Sequence, residues 1–389
     1  MQSQQIAFSR RRFLANSVVA VGASLASARL ADAAPTIEVL DNRVITPTGE
    51  PYAGWPTLLR RKNGELWVVW SGGREGHVCP FGQLRCMTSR DEGETWSWPR
   101  VLLDSATDDR DAGLCETASG ALLATTFTSL AYEPILAKGE AGDQWDPEKL
   151  TRWQAARDRL SADERKRELG TWMIRSTDGG LTWSPRYDCL VDSPHGPTSL
   201  ADGSLLYVGK ELWREQSRCG AAISRDDGVT WEWLTEIPTR PGDDAGQYHE
   251  LHAVQAASGR IVVQIRNHNK ASHYETLQTE SNDGGRSWSE PHSTGIWGYP
   301  SHLLRLRDDR LLMTYGHRRA PIGNQARFSS DEGRSWSESL LISTDGTSTD
   351  IGYPSTAELG DGTLLTVWYE KLADRSVSVL RQARWKFTS

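Results

Sequence analysis

Short apolar runs recur along this chain, each opened by a polar turn. They read GELWVVW (64–70), GALLATTF (120–127), GSLLYVGK (203–210), GRIVVQIR (259–266), DRLLMTYG (309–316) and GTLLTVWY (362–369). Runs this short, bounded by Gly or Asp, predict buried strands. Between them lies a second repeat, Ser-x-Asp-x-Gly-x-Thr/Ser-Trp: SRDEGETW (89–96), STDGGLTW (176–183), SRDDGVTW (224–231), SNDGGRSW (281–288) and SSDEGRSW (329–336). Its chemistry is that of a turn. The Asp carboxylate accepts hydrogen bonds from turn amides, the Gly supplies positive φ, and the Trp packs as an apolar plug. One active site has no use for five identical carboxylates, so these Asp residues are read as structural.

Repeats of roughly 40–50 residues with several strands each indicate propeller blades. Six strand motifs predict an all-β, six-bladed β-propeller over residues 35–389. The last motif lacks the octapeptide, which suits a final blade closed by an N-terminal strand around Ile37–Ile45. The octapeptide Trp residues are 87, 48, 57 and 48 apart. The long first gap is assigned to an insertion in blade two, residues 129–170. There Asp146-Pro147-Glu148 reads as an N-cap with proline in the first turn, and Ser161 to Glu164 as a capping box. A helical hairpin is expected, either roofing the funnel or decorating the surface.

Composition fits this picture: 389 residues with 17 Trp and 35 Gly suit short strands and tight turns. The N-terminus resembles a twin-arginine export signal. Ser9-Arg10-Arg11-Arg12-Phe13-Leu14 precedes an apolar run from Val18 to Leu30 and the small-residue site Ala31-Asp32-Ala33. The alternative is a basic tail. Export predicts a mature chain from near Ala34, in a periplasm or secreted. Forty-four Lys and Arg against 51 Asp and Glu leave a net charge of −7. Residues 1–34 hold four Arg and one Asp, so the remainder stands at −10. That balance argues against nucleic acid as the partner. Cys79, Cys86, Cys115, Cys189 and Cys219 form no CxxC pair; one disulfide remains open.

The first strand of a blade lines the central channel. Nine residues before each apolar motif stand Trp55, Asp111, Pro194, Glu250, Pro300 and Tyr353, with His195, His249 and Tyr299 beside them. Equivalent positions place these groups on one polar face, although any of them could instead cap a strand end. His249-Glu250-Leu251-His252 is not HExxH. On a strand, positions three apart face opposite sides, so no metal is expected there. No cofactor motif is visible.

The octapeptides resemble the Asp boxes of the sialidase superfamily, and the likeness spans nearly all of the chain after the signal. Position by position it implies Tyr353 as nucleophile, Glu250 as its base, and Arg266, sixteen residues later, in a carboxylate-binding triad. Arg318 or Arg319 is similarly placed for another triad member, with Arg318 preferred. The chain departs twice. Gly54-Trp55-Pro56 stands where the family has Arg-Ile-Pro, and His77 where the family has an Asp acid/base. Arg74 or Arg110 is the expected substitute for the missing arginine. Asp108-Asp109-Arg110-Asp111 is either a sugar-recognition cluster or an interblade salt-bridge cluster.

These departures direct expectation away from ordinary sialic acid. The leading expectation is an exo-acting glycoside hydrolase on a terminal acidic or acid-linked sugar of a glycan. Tyr353, Glu250 and His77 would perform the chemistry, and Arg266 and Arg318 would hold a carboxylate. The second is a uronate-directed lyase or rhamnosyl-glucuronate-cleaving enzyme on the same propeller. The third is a glycan-binding propeller without catalysis.

Overall fold

A computed structural model describes residues 36–389, apart from 48, 143, 215–216, 374–376 and 389. The expected export signal lies outside the described residues. Four antiparallel four-stranded sheets follow one another in sequence. The first holds β6 (Asp108–Glu116), β7 (Leu122–Ser129), β8 (Thr171–Ser176) and β9 (Tyr187–Asp188). The second holds β10 (Thr198–Ser199), β11 (Leu205–Lys210), β12 (Cys219–Ser224) and β13 (Glu232–Glu236). The third holds β14 (Tyr248–Gln255), β15 (Ile261–Asn267), β16 (Glu275–Ser281) and β17 (His292–Trp297). The fourth holds β18 (Ser301–Arg305), β19 (Leu311–His317), β20 (Gly323–Ser329) and β21 (Leu340–Leu341).

The remaining strands form one eight-stranded sheet. It contains β1 (Thr36–Val44), β2 (Tyr52–Arg60), β3 (Leu66–Arg74), β4 (Gln83–Ser89), β5 (Arg100–Leu103), β22 (Ile351–Glu358), β23 (Leu364–Lys371) and β24 (Ser378–Thr388). This corrects the expectation of six separate blades: four are self-contained, and the other strands are fused. The cause is local. Tyr52 of β2 pairs in parallel with Ser378 of β24. Ser378 also donates its N–H to Pro51 O at 3.1 Å and its hydroxyl to Ala53 O at 2.9 Å. The N-terminal strand β1 lies antiparallel on β24 and closes the sheet. Strands β2, β6, β10, β14, β18 and β22 meet in turn and return to β2, a propeller arrangement around a channel.

The octapeptides behave as their chemistry dictates. Asp91 accepts from Thr95 N (2.9 Å) and Thr95 Oγ1 (2.5 Å), while Ser89 Oγ accepts from Gly93 N (2.9 Å). Positions four and five both take positive φ, as in Glu92 (54°) and Gly93 (89°). The plug tryptophans reach neighbouring strands: Trp96 Nε1 donates to Gln382 and Trp336 Nε1 to Gln278, both at 2.9 Å.

Between β7 and β8 stand three helices where a hairpin was expected: α1 (Glu133–Ala141), α2 (Pro147–Arg157) and α3 (Ala162–Glu168). Asp146 caps α2 through Lys149 N, and Ser161 and Glu164 form the capping box of α3. Tyr132, Leu136 and Trp153 bury against Cys79 of the loop after β3. Glu75 of that loop accepts from Arg152 Nε (3.0 Å) and Trp153 Nε1 (2.9 Å). The insertion thus anchors the loop that carries His77. All five cysteines are buried and free, which answers the open disulfide. No described helix is long and apolar enough to cross a membrane.

Candidate functional site

Several inner strands are bent near their starts. Ladder register shifts fall between Gly54 and Thr57 in β2, Arg110 and Gly113 in β6, Tyr248 and Leu251 in β14, and Gly352 and Ser355 in β22. At three of these bulges a large side chain sits at positive φ: Trp55 at 53°, Asp111 at 55° and Tyr353 at 54°. Such backbone costs roughly 1–3 kcal/mol per residue and re-aims the side chain. Here it turns an aromatic, a carboxylate and a phenol out of the alternating strand pattern toward the channel.

Tyr353, Glu250 and Arg266 come together. The Tyr353 hydroxyl donates to Glu250 Oε1. Arg266 Nη1 donates to the same oxygen at 2.7 Å and to the Tyr353 hydroxyl at 3.2 Å. Arg266 Nε points to His268 Nε2 at 2.9 Å. Burial pushes the Glu250 carboxyl up, but Arg266, His249 and the Tyr353 hydroxyl outweigh it and hold the group at about 2. Burial and the Glu250 charge raise the Tyr353 phenol well above its ordinary value. The resting site therefore holds a neutral phenol against an ionised carboxylate.

The guanidinium groups of Arg266 and Arg318 both lie over the Tyr299 ring, 4.4 and 4.8 Å from its centroid. Arg318 makes no ion pair among the described residues, and its Nε is buried without a partner. Arg319 lies instead on Trp297, at 3.7 Å. Trp55, expected where the resemblance calls for an arginine, packs 6.5 Å from the Tyr353 ring. Arg110 and Arg74 stand 4.6 and 4.9 Å from the Trp55 ring, and His77 meets it edge-on at 5.0 Å.

Arg74 does not serve as the substitute arginine. It is fully buried and forked onto Asp108, Nη1 to Oδ1 at 2.6 Å and Nη2 to Oδ2 at 3.0 Å. Its Nη2 also holds His77 O at 3.1 Å. Asp108 is therefore an interblade ion-pair partner. Arg110, mostly buried, is 3.7 Å from Asp108.

His77 is half-exposed, and its Nδ1 lies 3.1 Å from Asp350 Oδ1 and 2.9 Å from the Tyr52 hydroxyl. Tyr52 (3.0 Å) and Tyr369 (2.9 Å) also donate to Asp350. Burial raises the Asp350 carboxyl, yet His77 and the two phenols more than offset this and keep it below its ordinary value. An ionised Asp350 only accepts, so its contact with His77 calls for a proton on Nδ1 and leaves Nε2 without a partner among the described residues. Sequence reasoning missed Asp350. The only signal was its place three residues before Tyr353, immediately ahead of the same strand.

Asp111 shares a cavity of about 130 Å³ with Asp192, Lys210, His249 and Glu250. Burial, then the charge of Glu250, raises Asp111 to about 7. Burial, then Asp111, raises Asp192 well above the usual range. Asp192 and Lys210 were not anticipated. His249 packs 4.5 Å from His268. His195 is not in this group. It is buried, bonds Thr57 Oγ1 at 3.1 Å, and lines a different cavity with His252 and His302. The Pro194-His195-Gly196 turn, with His195 at φ 76°, carries it away from the polar face.

The family described as BNR repeat-like domain matches residues 142–366. No curated protein matches the sequence. The fold is similar to that of a Dyadobacter fermentans DSM 18053 protein of unknown function. Identity is 21% and the TM-score 0.72, over 91% of this chain and 100% of that one. It is also similar to the intramolecular trans-sialidase of Ruminococcus gnavus, with 14% identity, a TM-score of 0.63 and coverage of 88% and 96%. A leech intramolecular trans-sialidase gives 15%, 0.64, and coverage of 90% and 70%. Identities this low speak to the fold alone.

Proposed function

We propose that this chain, which belongs to the BNR repeat-like domain family, is an exported glycoside hydrolase that removes a terminal acidic or acid-linked sugar from a glycan. The observation that carries the reading is the shared hydrogen bonding of Tyr353, Glu250 and Arg266. A buried phenol is a poor nucleophile until it loses its proton. Glu250 lies in place to take that proton as the phenolic oxygen attacks the anomeric carbon. The oxocarbenium-like transition state brings positive charge toward the oxygen and favours the phenolate there. Arg266 then faces both the phenolate and the newly neutral carboxyl.

His77 is the proposed acid/base. Protonated, it gives a proton from Nε2 to the leaving oxygen; neutral, it takes one from water in the second step. Asp350 fixes the ring by holding Nδ1–H. Arg318, with no competing carboxylate, is the guanidinium available to an anionic group, and Arg266 is the second. With Trp55 in the third place, the site offers one cation fewer than a three-arginine grip and an aromatic wall instead. That arrangement suits a uronate or an acid-linked sugar better than sialic acid. Export rests on the Arg10 to Leu14 pattern.

A second reading draws on the His77–Asp350 pair. Neutral His77, with its lone pair on Nε2, could take the C5 proton of a uronate while Arg318 neutralises the carboxylate. The test is incubation with aryl sialosides, aryl glucuronides and rhamnosyl-glucuronate oligosaccharides. New reducing ends or released aryl groups, lost roughly 10²–10⁴-fold in Tyr353→Phe, are expected. Ultraviolet absorbance of an unsaturated uronate would replace hydrolysis by elimination. Binding without product from any of these substrates would overturn both.

A further inference from the structure

The chemistry above leaves a second cavity unused. It measures about 380 Å³ and is lined by later residues of the inner strands, among them Thr57 and Arg60 of β2, His252 of β14, His302 of β18 and Thr356 of β22. Trp55, Asp111, Glu250 and Tyr353 occupy earlier positions on the same strands, so this cavity lies further along the channel. His195, from the turn before β10, completes it.

Three imidazoles pack together there, with centroids 5.3 Å (His195–His252), 4.9 Å (His195–His302) and 4.7 Å (His252–His302) apart. Their second nitrogens decide the chemistry. His252 Nδ1 accepts from Leu303 N at 2.9 Å, and His302 Nδ1 accepts from Thr356 N at 3.4 Å. A neutral ring that accepts at Nδ1 carries its proton at Nε2. Burial holds all three rings below their ordinary value, and so neutral. The Thr57 hydroxyl makes no other hydrogen bond among the described residues and is free to donate to His195 Nδ1, the arrangement that leaves His195 Nε2 as a donor too. No Nε2 of the three has a partner among the described residues, and that of His195 is fully buried. Arg60 Nε, another donor of this lining, is also buried and unpartnered.

Unpaired buried N–H groups are costly, at about 1–3 kcal/mol each. A metal ion does not fit, because it needs a lone pair where His252 and His302 present hydrogen. The cavity has room for several waters, so an anion must displace water that already accepts from these donors. The carboxylates of the lining are already paired: Glu116 with Arg61 at 3.1 Å and Glu358 with Arg307 at 3.9 Å.

We propose that this axial cavity binds a small inorganic anion, held by Nε2–H of His195, His252 and His302 with Arg60 Nε–H. The anion ties β2, β14, β18 and the turn before β10 together across the channel. Its role is structural and independent of the glycosidase reading.

The test uses the full chain, exchanged into gluconate and titrated with chloride, bromide, phosphate or sulfate at matched ionic strength. A saturable rise in Tm with one of these anions is expected. A bromide-soaked crystal should show an anomalous peak within hydrogen-bond reach of the three Nε2 atoms. His195→Phe should abolish the anion-dependent part of the rise. If that variant does not fold, the wild-type bromide peak still decides. A flat Tm and no peak would overturn the proposal, as would a stoichiometric d-block metal in elemental analysis of the purified protein.

Discussion

Replacing Arg266 by Met removes a charge and keeps much of the stem. In the native site Arg266 is the main reason the buried Glu250 carboxyl falls from 4.5 to about 2. At 1.36 kcal/mol per tenfold change, that drop corresponds to about 3 kcal/mol of stability. The folded carboxyl has the lower value, so this stability is fully present above pH 4.5 and lost as pH falls toward 2. In the variant, burial is no longer offset by the guanidinium. The Glu250 value should then rise above 4.5, reversing the sign of its contribution. Breaking a buried pair by removing one partner costs about 3–5 kcal/mol. Urea unfolding at neutral pH should show a loss of that order, shrinking as the medium is acidified. The pH profile of kcat/KM should gain an acid limb above pH 4.5 that the native protein lacks. Adding Glu250→Gln should recover part of the stability but none of the activity. A single variant as stable as wild type, with an unshifted acid limb, would show that the pair does not set the charge on Glu250.

Three further perturbations have expected outcomes. Asp350→Asn cannot accept from Tyr52, Tyr369 and His77 together; turnover should fall roughly 10²–10⁴-fold, and less on substrates with activated leaving groups, as for loss of a general acid. Equal losses across leaving groups would remove His77 from that role. Arg74→Ala leaves the buried Asp108 with only Arg110, 3.7 Å away, so it should cost up to about 3–5 kcal/mol in chemical denaturation. Five thiols should react with an aromatic disulfide reagent in denaturant and none in the native protein within minutes.

Much of this was legible because the repeats are local. The octapeptide turns need only Ser, Asp, Gly and Thr within eight residues. Glu250 and Arg266 face each other because β14, a tight turn and β15 set their spacing. What escaped depends on backbone twists and on chains meeting from afar. Gly54-Trp55-Pro56 and Gly352-Tyr353-Pro354 share a glycine-aromatic-proline frame, a written sign of the bulges. Arg74 looked available because nothing near it in sequence announces Asp108, 34 residues on. His195 looked like a funnel residue because counting back from each motif assumes straight strands, and its turn is not straight. The fusion of sheets at Tyr52 and Ser378 rests on one backbone pairing, which side-chain patterns do not encode.

The meeting of β1 with β24 has a mechanical consequence. Thr36 pairs with Thr388 at one end of this ladder and Val44 with Arg381 at the other. Tension applied through residues 36 and 388 would load the rungs one at a time, peeling the ribbon open instead of shearing it. A low unfolding force in that direction, with the octapeptide turns still intact, is what such a clasp implies. It would also make this seam the first to part under any machine that pulls the chain from one end.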